Sequence, residues 1–242
     1  MVITSLQNEQ VKKWMRLHQK KERDKARLFL VEEEHLLQEA HQAKCLQTLI
    51  VREDVTPLFE DVNVVYVTEA VMNKLSLNVS SVKMMGICTM PEHDAVDVSR
   101  IVMLDGVQDP GNVGTIIPTA LSFGFEQVIC SNDCADLFNE KTIRSSQGAI
   151  FHIPYVRGDL KDIIIQLKKE GFMVVGTDLS NSVPLKELKQ QGKMVIVLGN
   201  EGQGMRKDVS SLCDINVKIE MKTFDSLNVA IAGGILMYTC AR

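Results

Sequence analysis

Three short segments in the C-terminal part of the chain contain Asn, Glu or Ser, residue types that can bind and orient a ligand, and two of the segments also contain glycines. They are residues 109–115 (DPGNVGT), residues 198–204 (LGNEGQG) and residues 226–230 (SLNVA). Each follows or borders an apolar, strand-like run. Loops at the ends of such runs place polar groups at the strand ends of an α/β sheet, where ligands usually bind. The three segments in this order are far more specific than any one of them alone.

The first segment leaves two interpretations open for its polar side chains. Asn112 follows a Pro-Gly turn and precedes a predicted helix, so it caps the helix or contacts a ligand, and the two roles are compatible. Asp105 and Asp109 lie just beyond the first strand of this half, where acids are either catalytic or turn-forming.

The second segment surrounds Glu201 with three glycines, which permit positive φ and let a ligand approach the backbone closely. It matches neither the dinucleotide-binding glycine fingerprint nor a P-loop, which argues against a nucleotide-dependent enzyme of that type. In the third segment, Ser226 either caps the last helix or faces a ligand. The Ser, His and Asp residues show no nucleophile elbow of a hydrolase.

Positive charge is concentrated at the N-terminus, although the whole chain has a net charge of −4. Residues 1–30 hold eight basic and three acidic side chains, a net +5, which leaves −9 for the rest. Such a block either contacts nucleic-acid phosphates or forms a solvated helix face. The candidate phosphate-binding residues are Lys12, Lys13, Lys20 and Lys21. A second candidate pair, Lys141 and Arg144, shares one face of a predicted helix.

Composition is that of a soluble globular protein, with 45% apolar and 24% charged residues in 242. Residues 1–10 lack the apolar core of a signal peptide, and the longest apolar stretch, residues 229–238, is too short to span a bilayer. Six cysteines without zinc-type spacing are expected to be reduced thiols of a cytoplasmic protein.

The elements that must position these segments alternate between helices and strands. Residues 1–92 read as a small α/β unit, residues 93–99 as a linker, and residues 100–242 as strands alternating with helices, which predicts a parallel sheet. The predicted helices are 8–19, 33–43, 69–75, 113–123, 141–148, 160–170 and 227–240. The predicted strands are 28–31, 46–51, 64–67, 85–88, 100–104, 127–130, 172–176, 194–198 and 215–219.

The three segments resemble the signature motifs of the SpoU (TrmH-type) RNA methyltransferases of the SPOUT superfamily. The resemblance covers about residues 100–242 and includes residues 139–149 (NEKTIRSSQGA), which are similar to the stretch between the family's first two motifs. The N-terminal unit, with residues 29–32 (FLVE), is similar to the ribosomal-protein-like substrate-binding domain that often precedes it.

This resemblance implies a C-terminal α/β domain with a parallel sheet and a deep trefoil knot, a rare exception to un-knotted topology. S-adenosylmethionine would be held in the knot by backbone groups, and no metal would be required. The backbone groups expected to contact it belong to Leu198, Gly199, Ile219, Met221 and Leu227. The protein would be a homodimer with the substrate site formed across both subunits.

The implied reaction is methyl transfer to a ribose 2′-hydroxyl of ribosomal or transfer RNA. The hydroxyl is a weak nucleophile that must lose its proton, and in-line placement supplies much of the acceleration. On this analogy Asn112, Glu201, Ser226 and Asn228 line the reacting centre. Asn112 and Ser226 would orient the ribose or a phosphate, and Glu201 would hold a basic partner or the loop itself.

The chain departs from the family at Pro118, where the family usually has the Arg assigned to activating the hydroxyl. Proline inside a helix also removes a backbone hydrogen bond and costs about 3 kcal/mol. Arg144 is a candidate substitute for the missing basic group. The alternative function is a catalytically weakened knot protein that binds RNA and cofactor in a structural or assembly role.

Overall fold

The computed structural model describes residues 2–77, 82–93, 97–178, 182–189, 192–223 and 226–241. Its strands are β1 (Val2–Ile3), β2 (Leu28–Val31), β3 (Leu46–Arg52), β4 (Asn63–Val67), β5 (Met84–Thr89), β6 (Arg100–Asp105), β7 (Gln127–Ser131), β8 (Tyr155–Gly158), β9 (Met173–Thr177), β10 (Val183–Pro184), β11 (Met194–Gly199) and β12 (Ile215–Lys218). Its helices are α1 (Glu9–Arg16), α2 (Lys20–Ala26), α3 (Glu34–Gln42), α4 (Glu69–Leu75), α5 (Pro110–Ser122), α6 (Glu140–Ser145), α7 (Leu160–Lys169), α8 (Lys207–Ser210) and α9 (Val229–Thr239). No helix among these residues is long and apolar enough to cross a membrane.

Two compact units divide the chain: Met1–Glu92 with Phe138–His152, and His93–Leu137 with Ile153–Arg242. The first unit contains a five-stranded sheet in the order β1-β4-β3-β5-β2. Helices α1 and α4 pack on one face of it, where Val11, Trp14 and Leu17 contact a cluster that includes Ile50 and Met85. The predicted helix 8–19 is wrong in extent, because α1 ends at Arg16 and a separate helix, α2, follows.

Residues 138–152 lie in the first unit although they follow β7 of the second. The ring of Phe29 contacts the rings of Phe138 and Phe151, with centroids 4.7 and 5.8 Å apart. His152 Nε2 lies 2.7 Å from Glu39 Oε2. The first unit therefore completes its core with a segment that the predicted boundaries placed in the second domain.

The second unit contains a seven-stranded sheet in the order β10-β12-β9-β11-β6-β7-β8, in which every pairing is parallel. This confirms the predicted parallel α/β sheet. Strands β6 and β11 are central and almost wholly buried, and they end side by side at the pair Gly199↔Asp105. The chain leaves β6 towards β7 on one side, whereas β11 borders β9 on the other. Such a switch of direction opens a crevice at the carboxyl ends of the strands, where ligands bind.

Helix α5 begins at Pro110 and runs through Pro118 without a break. Its N-cap is Asp109, whose Oδ1 accepts a hydrogen bond from the N–H of Asn112 at 3.0 Å. The suggested capping role of Asn112 is therefore wrong, and its side chain is available for other contacts. Because proline has no N–H, the carbonyl of Gly114 receives no helical hydrogen bond from position 118.

Replacing Pro118 with Ala should stabilise the protein. The substitution restores the backbone hydrogen bond in the middle of α5 and removes the unfavourable helix propensity of proline. We expect the free energy of unfolding to rise by between about 1 and 3 kcal/mol, measured by urea denaturation.

Ser122→Ala, in the same helix, is the matched control for general helix propensity and should change the free energy of unfolding by less than about 0.5 kcal/mol. A Pro118→Ala protein no more stable than its parent would show that the surrounding packing requires the proline ring.

Candidate active site

An ion pair between a half-exposed arginine and a buried carboxylate anchors the end of the loop that follows β11. The carboxylate of Asp105, at the end of β6, accepts hydrogen bonds from the N–H and the Nε of Arg206, both at 2.7 Å. The Arg206 Nη2 lies 2.7 Å from the same carboxylate, and the Asp105 side chain is wholly buried. Asp105 is therefore a fully paired structural acid, and Arg206 is a site residue that sequence reasoning missed.

The loop itself, residues 200–204, folds back on its own backbone. A Cβ on Gly199 would lie 2.3 Å from the backbone nitrogen of Met205, so no other residue fits there. The Asn200 Oδ1 accepts from the N–H groups of Gly202 and Gln203 at 2.9 and 3.0 Å, and its Nδ2 donates to the Gly106 carbonyl at 2.7 Å. The space on the side where Gly199 would carry a Cβ is thus filled by the loop's own main chain.

Glu201 joins this loop to the start of α5. Its carboxylate accepts hydrogen bonds from the backbone N–H groups of Gln108 and Asp109 at 3.3 and 3.2 Å, and from Asn112 Nδ2 at 3.0 Å. Partial burial raises the pKa of Glu201, but the hydrogen bonds from Asn112 and from backbone N–H groups outweigh it and hold the pKa below its ordinary value of 4.5. Of the two roles expected for Glu201, the structure shows the one that holds the loops.

Asn112 is oriented at both ends of its carboxamide. Its nitrogen donates to Glu201, and its Oδ1 accepts from Asn228 Nδ2 at 2.9 Å. Asn228 in turn uses its Oδ1 to cap α9, accepting from the N–H groups of Ala230 and Ile231. A carboxylate accepts only and a backbone N–H donates only, so the oxygen and nitrogen positions of both amides are fixed by this chain of bonds.

Ser226 is exposed and makes no hydrogen bond with any residue that the structure describes. The cap of α9 is Asn228, so the suggested capping role of Ser226 is wrong. The structure therefore brings Asn112, Glu201 and Asn228 together in one network and leaves the Ser226 hydroxyl outside it.

The residues expected to hold the cofactor lie at the carboxyl edge of the sheet. Leu198 and Gly199 end β11, Ile219 and Met221 follow β12, and Leu227 precedes α9. Strands β11 and β12 are separated only by β9. Within the described residues, the main-chain N–H groups of Met221 and Leu227 form no hydrogen bond. These unpaired groups are of the kind that binds a ligand through the backbone.

The basic side chains that were candidates for phosphate binding all lie in the first unit, in different surroundings. Lys12 pairs with Glu9 at 2.9 Å and Lys20 with Asp24 at 2.7 Å. Lys13 and Lys21 have no ion pair among the described residues.

The second candidate pair lies on α6. Arg144 forms ion pairs with Glu33 and Glu140, at 2.9 and 2.5 Å. The backbone N–H of Lys141 donates to the side chain of Asn139, the N-cap of α6. The ion pairs of Arg144 argue against its proposed use as a substitute basic group.

Comparisons with known proteins agree with this geometry. The model of the SpoU rRNA Methylase family matches residues 99–238, and that of the MRM3-like substrate binding domain matches residues 8–86. The 23S rRNA (guanosine(2553)-2′-O)-methyltransferase RlmP of Bacillus subtilis is 37% identical over 241 residues, 98% of this chain and 97% of its own.

Two solved structures are similar over the whole chain. An rRNA methyltransferase from Sinorhizobium meliloti superposes with a TM-score of 0.89 at 30% identity, covering 99% of this chain and 96% of that one. Its AdoMet-bound form superposes with a TM-score of 0.86, covering 99% and 97%.

Glu201→Gln should loosen the loops that Glu201 joins, because a neutral amide oxygen accepts more weakly than a carboxylate. We expect a loss of about 1 kcal/mol in the free energy of unfolding at pH 7. The folded-state pKa of Glu201 lies below 4.5, so its stabilisation is present above pH 4.5 and is lost as the pH falls through the folded value. Urea titrations from pH 7 downwards should show parent and variant converging.

Glu60→Gln is the matched control, since Glu60 is exposed and has no hydrogen-bond partner among the described residues. Its stability curve should follow that of the parent at every pH. A gap between parent and Glu201→Gln that stays constant down to low pH would contradict the assigned role of the carboxylate.

Proposed function

Because this chain belongs to the SpoU rRNA methylase family, we propose that it transfers a methyl group from S-adenosylmethionine to a ribose 2′-hydroxyl of ribosomal RNA. The observation that carries the proposal is the hydrogen-bond chain Glu201–Asn112–Asn228, which joins the three motif loops at the ligand-binding edge of the sheet. Relatives named as rRNA methyltransferases cover nearly the whole chain and support ribosomal RNA over transfer RNA as the substrate.

S-adenosylmethionine, when bound, supplies a methyl group on a positively charged sulfur. The backbone at Leu198, Gly199, Ile219, Met221 and Leu227 would hold it. The N–H groups of Met221 and Leu227, which bond to no residue that the structure describes, fit that role. The chain's own contribution to the reaction is then the placement of the ribose oxygen.

Asn112 is the best placed residue for that task. One hydrogen of its Nδ2 donates to Glu201, and the second is available for a ribose or phosphate oxygen. Since both ends of the amide are fixed before substrate arrives, little reorganisation is needed when it binds. The exposed hydroxyl of Ser226 would provide a second contact to the RNA.

Glu201 is a positioning residue, not the base that removes the hydroxyl proton. A carboxylate with three N–H donors and a lowered pKa is a weak proton acceptor near neutral pH. Pro118 has no basic atom, and the bonds of Arg144 to Glu33 and Glu140 hold it in the first unit. S-adenosylmethionine would supply the methyl group to the ribose oxygen and leave as a neutral thioether, and the hydroxyl proton would pass to solvent.

We assign the parts of the chain on the same basis. Residues 1–92 would bind the RNA and residues 93–99 would be a linker. Residues 100–242, apart from residues 138–152, which complete the first unit, would form the knotted domain that transfers the methyl group. A protein that modifies ribosomal RNA in a bacterium would work in the cytoplasm, without a metal ion.

The proposed enzyme is a homodimer that associates through α9. This helix buries Val229, Gly233 and Met237 on one face, whereas Ile231, Ile235 and Tyr238 on another are 57%, 38% and 70% exposed. An apolar stripe of this kind on a soluble protein marks an interaction surface. A second copy of the chain would cover it.

Methyl transfer from radiolabelled S-adenosylmethionine to unmodified 23S rRNA should be detectable with the parent protein. Asn112→Ala should lower the rate at least 100-fold, because it removes the oriented donor and breaks the bonds to both Glu201 and Asn228. Mapping the labelled ribose would identify the nucleotide.

Transfer RNA and 16S rRNA serve as control substrates in the same assay, and Pro118→Arg as the companion variant. An inactive parent beside an active Pro118→Arg would contradict the proposal and favour the binding role. Label in transfer RNA alone would overturn the assignment to ribosomal RNA.

Introducing negative charge among the exposed apolar residues of α9 should dissociate the dimer. We expect Ile231→Glu with Ile235→Glu to be monomeric by size-exclusion chromatography with light scattering, because burying two carboxylates in an interface is unfavourable. Ile165→Glu, at a residue of α7 that is 43% exposed, should leave the dimer intact. A parent that is itself monomeric would refute the assignment.

A further inference from the structure

A groove of about 720 Å³ opens in the first unit where α1 and α2 leave part of the sheet uncovered. Its floor includes Leu28 of β2, Thr48 of β3 and Ile87 of β5, and its walls are formed by the two helices. This volume lies in the range of sites that enclose a small ligand or one unit of a larger one. The residues that line the groove lie between Glu9 and Ile87, and none of them belongs to the three motif loops.

The walls of the groove carry positive charge that has no ion-pair partner. Lys13 and Arg16 of α1 and Lys25 of α2 line it, and none pairs with an acid among the described residues. Two acids also line it: Glu9, which is paired with Lys12 outside the groove, and Glu22. Three cations that form no ion pair with a described residue, on the two helices that line the groove, would suit an anionic backbone that runs along it.

The floor offers hydrogen-bond donors as well as apolar surface. Trp14 lines the groove and is only 7% exposed, yet its indole N–H bonds to no described residue. The indole N–H is a donor only and is therefore available to a ligand in the groove. Thr48 accepts a hydrogen bond from Asn63 Nδ2 at 3.1 Å, which leaves its own hydroxyl hydrogen free to donate. A ligand with acceptor atoms on a flat apolar body would satisfy both groups.

We propose that this groove binds an unpaired stretch of the substrate RNA, with one base against Trp14, Thr48 and Ile87 and the flanking phosphates on Lys13, Arg16 and Lys25. The inference rests on the proposed function, since it supplies the RNA contact of the first unit. A base provides the flat body and the acceptors, and phosphates provide the negative charge. Bases in a duplex are stacked and cannot enter a groove, whereas unpaired bases can be splayed into one.

The single tryptophan of the chain makes the test direct, because its emission reports on the groove alone. Titrating the full-length protein with a single-stranded RNA oligonucleotide should change Trp14 fluorescence. Lys13→Glu with Arg16→Glu should weaken this binding at least tenfold. The salt dependence of log K should flatten by about 0.7 for each RNA phosphate that the variant no longer neutralises. Both substitutions are at exposed positions, and thermal unfolding would verify that the variant is folded.

Lys74→Glu is the matched control, since Lys74 is exposed on α4 of the same unit, outside the groove, and has no ion pair among the described residues. It should change affinity less than twofold. Equal affinity of the parent and the double variant would overturn the proposal. So would equal quenching by duplex RNA, or quenching by a mononucleotide at the concentration at which the oligonucleotide acts.

Failure of the groove and failure of the proposed function have different signatures. If the parent protein methylates rRNA but single-stranded RNA does not change its Trp14 fluorescence, only the proposed RNA binding in the groove is refuted. If the oligonucleotide changes Trp14 fluorescence but no methyl group is transferred, RNA binding in the groove is supported and the proposed methyltransferase activity is refuted.

Discussion

The candidate active site depends on one ionised carboxylate, that of Glu201. It binds two backbone N–H groups at the start of α5 and the side chain of Asn112, across a sequence separation of about 90 residues. Asn112 then binds Asn228, 116 residues further along. Strand pairing brings the loops to one edge, but only this chain of bonds fixes the direction of the Asn112 amide. Without the charge on Glu201, the three loops would still lie at the same edge of the sheet, but their positions relative to one another would not be fixed.

Most of the fold could be predicted because its elements carry strong local signals. The buried apolar runs of β6 and β11 predict two strands, and the apolar periodicity of α4 predicts a helix. The predicted ends of these elements agree with the structure to within one residue. Helix α2 could not be found this way, since its sequence KKERDKA has no apolar face and the residue it buries is Arg23. The guanidinium of Arg23 bonds to the carbonyls of Leu17 and His18, a local contact across the turn between α1 and α2 that has no sequence signature.

The members of the site could be predicted, but several of their roles could not. Asp109 and Asn228 are the helix caps, although the sequence offers Asn112 and Ser226 for the same two positions. All four residues are of types that cap helices well, so the choice is made by where each helix begins, and that depends on packing. The pairing of Asp105 with Arg206 joins residues 101 positions apart, which one sequence cannot reveal. Charge counts likewise located the basic block but not which of its lysines are already neutralised by acids.

The return of residues 138–152 to the first unit constrains how the protein can be made. A ribosome that has synthesised the chain to Glu92 has not yet made Phe138 and Phe151, which contact Phe29 in the finished unit. At 5–20 residues per second, the missing 60 residues take about 3 to 12 s to appear. During that interval the nascent first unit exposes an aromatic surface, which is the kind of surface that chaperones bind. The two units are therefore not separate modules during translation: the first can finish folding only after the first part of the second, His93–Leu137, has been synthesised.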